Sequence, residues 1–274
     1  MKLYRYLRLA PTLVLCVVIA GCSTAPKTTI EAVQGRQVEM LVSRKSGPTV
    51  VFETGLDGTI EWWSKVWPEV SRESNALAYN RPGYGRSEAT EQPRDGIHIV
   101  DDLRALLRAE QMPPPYVLVG HSLGGLYMQL YARLHPDEVM ALVLVDSTHP
   151  EQLRGNGAQE HWPTWMKLAF GMATSATAKR ELAALDATGQ LVLQLPPPEG
   201  LKVLVLSAQQ PMKERSELAD DANSKRAALA SLYPGATQVW VDSGHAIPLE
   251  KPQAVVSAIR EALKPRAHSG AARD

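Results

Sequence analysis

Cysteine is nearly absent from this chain, and neither sign of charge is in excess. The only two cysteines in 274 residues are Cys16 and Cys22, both close to the N-terminus. No disulfide is therefore available to the body of the chain, which must be held by its core. Lysine plus arginine number 29 and aspartate plus glutamate also number 29. Such a balance lacks the basic surplus that marks a nucleic-acid binder. The apolar stretch from Leu13 to Ala20 is too short to cross a bilayer as a mature helix. No H-E-x-x-H or close His/Asp grouping occurs, so metal-assisted hydrolysis is not expected. Gly83 and Gly85 lack the third glycine and the helix start of a dinucleotide fingerprint. No metal and no cofactor is therefore expected.

The first residues carry Lys2, Arg5 and Arg8 ahead of the short apolar stretch, which is the pattern of an export signal, taken as residues 1–21. It ends in Ile19-Ala20-Gly21-Cys22, which resembles the lipobox of bacterial lipoproteins, where the cysteine is diacylated and becomes the new N-terminus. The resemblance implies export to the bacterial cell envelope and anchoring to a membrane through Cys22, with residues 22–30 as a polar tether. The alternative is a free cysteine after an ordinary signal peptide. Loss of the three N-terminal cations leaves the mature form slightly acidic.

Roughly 235 residues remain from about Glu31 to Lys264, enough for one sizeable core. Apolar runs at Thr49–Glu53, Asn75–Tyr79, Tyr116–Val119, Ala141–Val145, Lys202–Leu206 and Thr237–Val241 read as strands. Most are uniformly apolar, as in strands buried on both faces. Helical patterns at Ile97–Glu110, Leu126–Leu134 and Gln253–Leu263 alternate with them, and further strands fall within Ala32–Val42. The fold class is thus α/β, a doubly wound and mostly parallel sheet in one domain, residues 31–264. Between about 150 and 198 the alternation lapses. There Trp162, Trp165, Met166, Ala169, Phe170 and Ala173 recur at helical spacing, which suggests an inserted helical cap able to roof a site. Residues 265–274 are small and polar, and disorder is expected there.

Tyr116 to Gly125 reads Tyr-Val-Leu-Val-Gly-His-Ser-Leu-Gly-Gly and sets Ser122 between two glycines directly after a short strand. The G-x-S-x-G spacing matches by chance in roughly one chain of this length in ten. Its order of strand, turn and helix is what a nucleophile elbow requires: the serine occupies a strained corner where flanking side chains would clash. A serine hydroxyl needs a base to take its proton and a carboxylate to orient that base. Of seven histidines, His245 stands out, in a loop after an apolar strand and before the last helix. His98, His121, His135, His149, His161 and His268 read as structural or solvated.

With these residues in view, the chain resembles the α/β-hydrolase superfamily over nearly everything after the signal segment. Phe52-Glu53-Thr54-Gly55-Leu56 is similar to its oxyanion loop, and Asn80-Arg81-Pro82-Gly83-Tyr84-Gly85-Arg86-Ser87 to the loop after its fourth strand. Asp242-Ser243-Gly244-His245 with Pro248-Leu249-Glu250-Lys251-Pro252 is similar to its histidine loop. The resemblance implies a helical cap between the sixth and seventh strands, Ser122 as nucleophile, His245 as base, and the backbone amides of Leu56 and Leu123 as oxyanion donors. In most of the family the acid follows the strand matching Lys202–Leu206, yet here Ser207-Ala208-Gln209-Gln210-Pro211-Met212 follows. Asp146, at the end of the preceding strand, takes that role, with Glu214, Asp220 and Asp221 as alternatives. A serine nucleophile argues against epoxide hydrolase and haloalkane dehalogenase chemistry.

The expected function is a serine hydrolase, a carboxylesterase acting on a small-molecule acyl substrate. One alternative is a proline iminopeptidase-like amidase, whose cap would use Glu151, Glu160, Glu181 or Asp186 to hold an ammonium group. Another is a non-catalytic hydrolase-like surface binding protein. Oligomeric state is not legible in the sequence.

Overall fold

The computed structural model describes residues 27–209 and 215–265. The signal segment 1–21, Cys22, Glu214, His268 and the tail 266–274 lie outside the described residues. Strands β1 (Thr29–Val33), β2 (Arg36–Ser43), β3 (Thr49–Glu53), β4 (Asn75–Tyr79), β5 (Tyr116–His121), β6 (Val139–Val145), β7 (Lys202–Ala208) and β8 (Thr237–Val241) form one sheet. Their order is β1-β2-β4-β3-β5-β6-β7-β8, antiparallel at β1/β2 and β2/β4 and parallel from β4 through β8. β1 begins inside the stretch read as tether, because Thr29 to Val33 pair with Met40 back to Arg36 across a turn at Gln34-Gly35.

The helices are α1 (Trp67–Glu73), α2 (Gly96–Ala109), α3 (Leu123–Leu134), α4 (Thr164–Ala173), α5 (Ala176–Gln194), α6 (Glu217–Ala228), α7 (Ile247–Glu250) and α8 (Pro252–Leu263). Successive side chains of a strand point to opposite faces. The central strands therefore feed two cores. Tyr116, Leu118, Leu142 and Leu144 pack with Leu103 of α2 and Leu126 and Leu130 of α3. Val117, Val119, Ala141, Val143 and Val145 pack with Val70 of α1 and Val255 and Ile259 of α8. Burying each valine, leucine or isoleucine among them is worth about 1.5–3 kcal/mol. These two layers supply the stabilisation that no disulfide provides within the described residues.

β8 departs from the uniform burial expected of it: Val239 and Trp240 are close to half exposed, because among the described residues β8 is an edge strand paired with β7 alone. α4 and α5 lie between β6 and β7. α4 starts at Thr164, so Trp162 precedes the helix. Trp165, Leu168 and Met172 on α4 face solvent, whereas Trp162, Met166 and Phe170 turn toward the end of the sheet where β5 and β6 finish. Among the described residues no helix is long and apolar enough to cross a membrane.

Candidate active site

β5 ends at His121, and Ser122 takes φ 53° and ψ −126°, a conformation costly for a residue with a Cβ, before α3 begins at Leu123. The turn is tied down on both sides: Ser122 N donates to Val145 O at 3.2 Å, and Thr148 N and Gly125 N donate to Ser122 O at 3.0 and 2.9 Å. The flanking glycines are demanded by close approach. A Cβ on Gly120 would stand 2.5 Å from Gly125 Cα, and one on Gly124 would stand 2.4 Å from Thr54 O.

Asp146 leaves β6 with its side chain fully buried. Its Oδ1 accepts from Ala208 N at 3.0 Å and Arg226 Nε at 2.6 Å. Its Oδ2 accepts from Arg226 at 3.1 Å and faces His245 Nδ1 at 2.6 Å. Burial pushes the carboxyl up, but the bonds from His245 and Arg226 outweigh it and hold the group at about 2. An ionised Asp146 favours the proton of His245 on Nδ1, which leaves Nε2 with its lone pair free to accept. The His245 backbone is fixed by Glu250, whose Oε2 accepts from Ser243 Oγ at 2.7 Å and Gly244 N at 2.9 Å.

His121, read from the sequence as structural, touches the site from beneath. Its Nε2–H donates to His245 O at 2.9 Å, and its ring lies between those of Trp62 and His245, 4.7 Å from each. Burial and then the neighbouring His245 lower its pKa to about 3, so it stays neutral.

Ser122, Asp146 and His245 line one cavity of about 430 Å³, whose walls include Trp162, Met166 and Phe170 from the segment between β6 and β7. Leu123 opens α3 and Leu56 follows Gly55. Neither amide donates to a protein acceptor among the described residues; for Leu123 that is usual for the first N–H of a helix, while Leu56 lies in a loop. Gly55 abuts the serine closely enough that a Cβ there would stand 2.9 Å from Ser122 Cβ. Asp221 is engaged by Lys225 at 2.6 Å, and Asp146 is the carboxylate on His245. Among the described residues no group of three His, Cys, Asp or Glu side chains stands close enough to hold a metal ion.

Next to this cavity lies a buried ionic cluster that sequence reasoning missed. Arg81, just after β4, pairs with Glu53 at 2.6 Å and with Glu181 of α5 at 2.9 Å, and Arg94 pairs with Glu181 at 3.0 Å. Tyr79 donates to Glu53, and Tyr84 donates to Glu181 at 2.8 Å. Burial raises the Glu181 carboxyl, yet Arg81 and Arg94 more than offset this and hold it below the ordinary range. Glu181 is thus committed to arginines and not available to a substrate ammonium. Asp186 pairs with Arg154 at 2.7 Å, while Glu151 and Glu160 are exposed. The available signal was an arginine directly behind an apolar strand end, a place where an unpaired charge would be expensive. Nothing in the sequence pointed to Arg226.

A family model for the alpha/beta hydrolase fold matches residues 48–195. Among curated proteins, the uncharacterized protein YqjL of Bacillus subtilis is 33% identical over 101 residues, 37% of this chain and 40% of that protein. A mouse (lyso)-N-acylphosphatidylethanolamine lipase is 28% identical over 156 residues, 53% of this chain and 43% of that protein. The chain spans less than half the length of these curated relatives. Among solved structures, a putative lipase from Acinetobacter baumannii superposes with a TM-score of 0.66 at 19% identity, covering 86% of this chain and 90% of that one.

Proposed function

The chain belongs to the alpha/beta hydrolase fold family, and from that premise we propose that it is a serine hydrolase cleaving a carboxylic ester through an acyl-enzyme. The observation that carries the reading is the lining of one cavity by Ser122, His245 and Asp146, with Asp146 Oδ2 2.6 Å from His245 Nδ1. His245 Nε2 takes the proton of Ser122 Oγ as that oxygen attacks the ester carbonyl. Asp146, held ionised, stabilises the imidazolium that results. The tetrahedral oxyanion is received by the Leu56 and Leu123 amides, which need no reorganisation to donate. Collapse breaks the bond to the alkoxy oxygen, which leaves with the proton from His245. Water, deprotonated by the same nitrogen, then attacks the acyl-enzyme and frees the acid and Ser122. The apolar walls at Trp162, Met166 and Phe170 suit an acyl chain. The lipase among the relatives is in keeping with an ester substrate. The amidase reading loses its buried cap carboxylate to Arg81 and Arg94.

The full chain, purified in mild detergent, should react with a fluorophosphonate probe and cleave short nitrophenyl esters. Ser122→Ala and His245→Ala should do neither. An unreactive parent chain would favour the non-catalytic binding protein instead. Export and anchoring through Cys22 belong to the same proposal and rest on residues 1–22 of the sequence. Cys22→Ser should move the protein from the membrane fraction to the soluble one; if it stays with the membrane, a Cys22 lipid is not what holds it.

A further inference from the structure

Arg81 uses all five of its N–H groups, and two of its acceptors are backbone carbonyls next to the serine. Nε donates to Glu181 Oε1 at 3.0 Å. One terminal nitrogen donates to Glu53 Oε1 at 2.6 Å and to Thr54 O at 2.7 Å. The other donates to Gly55 O at 2.7 Å and to Glu181 Oε2 at 2.9 Å. A guanidinium has five donors in a rigid plane, so this set fixes its orientation completely.

The Gly55 carbonyl is one half of the peptide unit whose other half is the Leu56 N–H. A peptide unit is planar and trans, so its C=O and N–H point in opposite directions. Gripping the Gly55 oxygen from the Arg81 side therefore directs the Leu56 N–H away from Arg81. A charged donor on the carbonyl also polarises the unit and makes its N–H a stronger donor. Gly58 N supports the same oxygen at 3.2 Å. Glu181 sits on α5, in the segment between β6 and β7 that also supplies the cavity walls. It meets Arg81 through two oxygens and Arg94 through a third bond of 3.0 Å. Ser175, at the start of α5, donates to Asp57 Oδ1 at 2.8 Å, so the helix grips the loop on both sides of Leu56.

We propose that Arg81 is a positioning residue that sets and polarises the Leu56 amide as an oxyanion donor, and that Glu181 makes this setting depend on the docking of α5. The proposal rests on the reading of Ser122 as an acyl-transfer nucleophile. It implies that Arg81 acts on the transition state, where charge develops on the oxygen, and little on the bound ester.

The test uses the full chain in detergent, with Arg81→Lys and Glu181→Gln variants whose folding is checked by thermal unfolding. Lysine keeps the charge but cannot span both carbonyls and both carboxylates. Removal of a single oxyanion donor costs roughly 100- to 1000-fold in turnover, and a misdirected donor should lose a good part of that. We expect kcat for a nitrophenyl ester to fall roughly 10- to 100-fold in Arg81→Lys and less in Glu181→Gln, with KM within about twofold of the parent. An alkylboronic acid, which forms a tetrahedral adduct on Ser122, should lose affinity in parallel with kcat/KM, whereas inhibition by the product carboxylate should not change. A merely structural role would not separate those two inhibitors. Folded variants with unchanged boronate affinity, or with boronate and product weakened alike, overturn the proposal. Should Arg81→Lys fail to fold, Glu181→Gln decides by the same ratio. A parent chain inert to fluorophosphonate would instead sink the serine-hydrolase reading.

Discussion

Replacing Asp146 by asparagine tests the candidate site at the point where its chemistry and its stability meet. The carboxylate is surrounded by donors: Ala208 N and Arg226 Nε converge on Oδ1, and His245 Nδ1 and Arg226 face Oδ2. An asparagine has one acceptor oxygen, and the two donors at Oδ1 claim it. Its NH2 group then faces His245 Nδ1 and can only donate. The imidazole is forced to carry its proton on Nε2, so it offers Ser122 a donor where a base is needed. Loss of the orienting carboxylate in a triad lowers turnover by roughly 10⁴, equal to about 5 kcal/mol of transition-state stabilisation. KM should change little. The same substitution has a signature in stability. The Asp146 carboxyl lies at about 2, against 3.8 for a free aspartate. Its ionised form thus contributes roughly 2 kcal/mol that is fully present above the unfolded value and is lost as pH falls from 3.8 toward 2. Steady-state kinetics on a nitrophenyl ester, with denaturant unfolding at neutral pH and near pH 3, reads both effects. Asp146→Asn should be nearly inert and should show a flatter loss of stability toward acid. A folded variant whose turnover stays within tenfold of the parent would refute the assignment and return attention to Glu214, Asp220 and Asp221.

Three other outcomes follow from the geometry. At φ 53° a residue with a Cβ is strained by about 1–3 kcal/mol, while glycine costs up to about 1 kcal/mol in extra chain entropy. Ser122→Gly should therefore unfold a few degrees higher than Ser122→Ala by calorimetry, and equal midpoints would mean the elbow is not strained. His121 is held neutral with its pKa lowered to about 3, whereas an unfolded histidine takes up its proton near 6.5. Stability should fall as pH drops through that window, by at most 1.36 kcal/mol per pH unit from this group, and the fall should be shallower in His121→Asn. Denaturation curves at pH 6.5 and 4.5 check the difference. Phe170 lines the cavity beside Trp162, with ring centres 5.0 Å apart. Phe170→Ala should depress kcat/KM more for each added acyl methylene, up to about 0.8 kcal/mol or fourfold apiece. A uniform loss across chain lengths would place the acyl group elsewhere.

The strands were legible because they are buried on both sides and written in Val, Leu and Ala: Thr49–Glu53 and Asn75–Tyr79 match the structure residue for residue. Ser122 was legible because its flanking glycines are written into a fixed local spacing, although only Gly120 answers a local contact, with Gly125, while Gly124 clears Thr54 and Glu53 some seventy residues earlier. α5 was not, since its alanine-rich sequence carries a weak apolar stripe and its anchor, Glu181, is a charge paired with Arg81 a hundred residues earlier. Periodicity reports which face a helix buries and is silent on ion pairs across such a separation. Arg226 was hidden for the same reason: α6 has almost no apolar face, and its contact with Asp146 spans 80 residues. The exposure of β8 was missed because an edge strand and a central strand share the same apolar letters.

Ser122 and Asp146 emerge from β5 and β6, which are paired neighbours with His121 opposite Val145. Their separation is governed by one ladder spacing, about 4.8 Å, and Ser122 N is bonded to Val145 O. Only His245 reaches the site from a more distant loop. The chain leaving β7 after Ala208 therefore carries none of the three groups, although the α6 that follows supplies Arg226. Doubling the length of such a connection costs only about 0.6 kcal/mol of closure entropy. A segment spliced in between β7 and α6 would accordingly leave untouched the β5/β6 ladder that sets Ser122 beside Asp146.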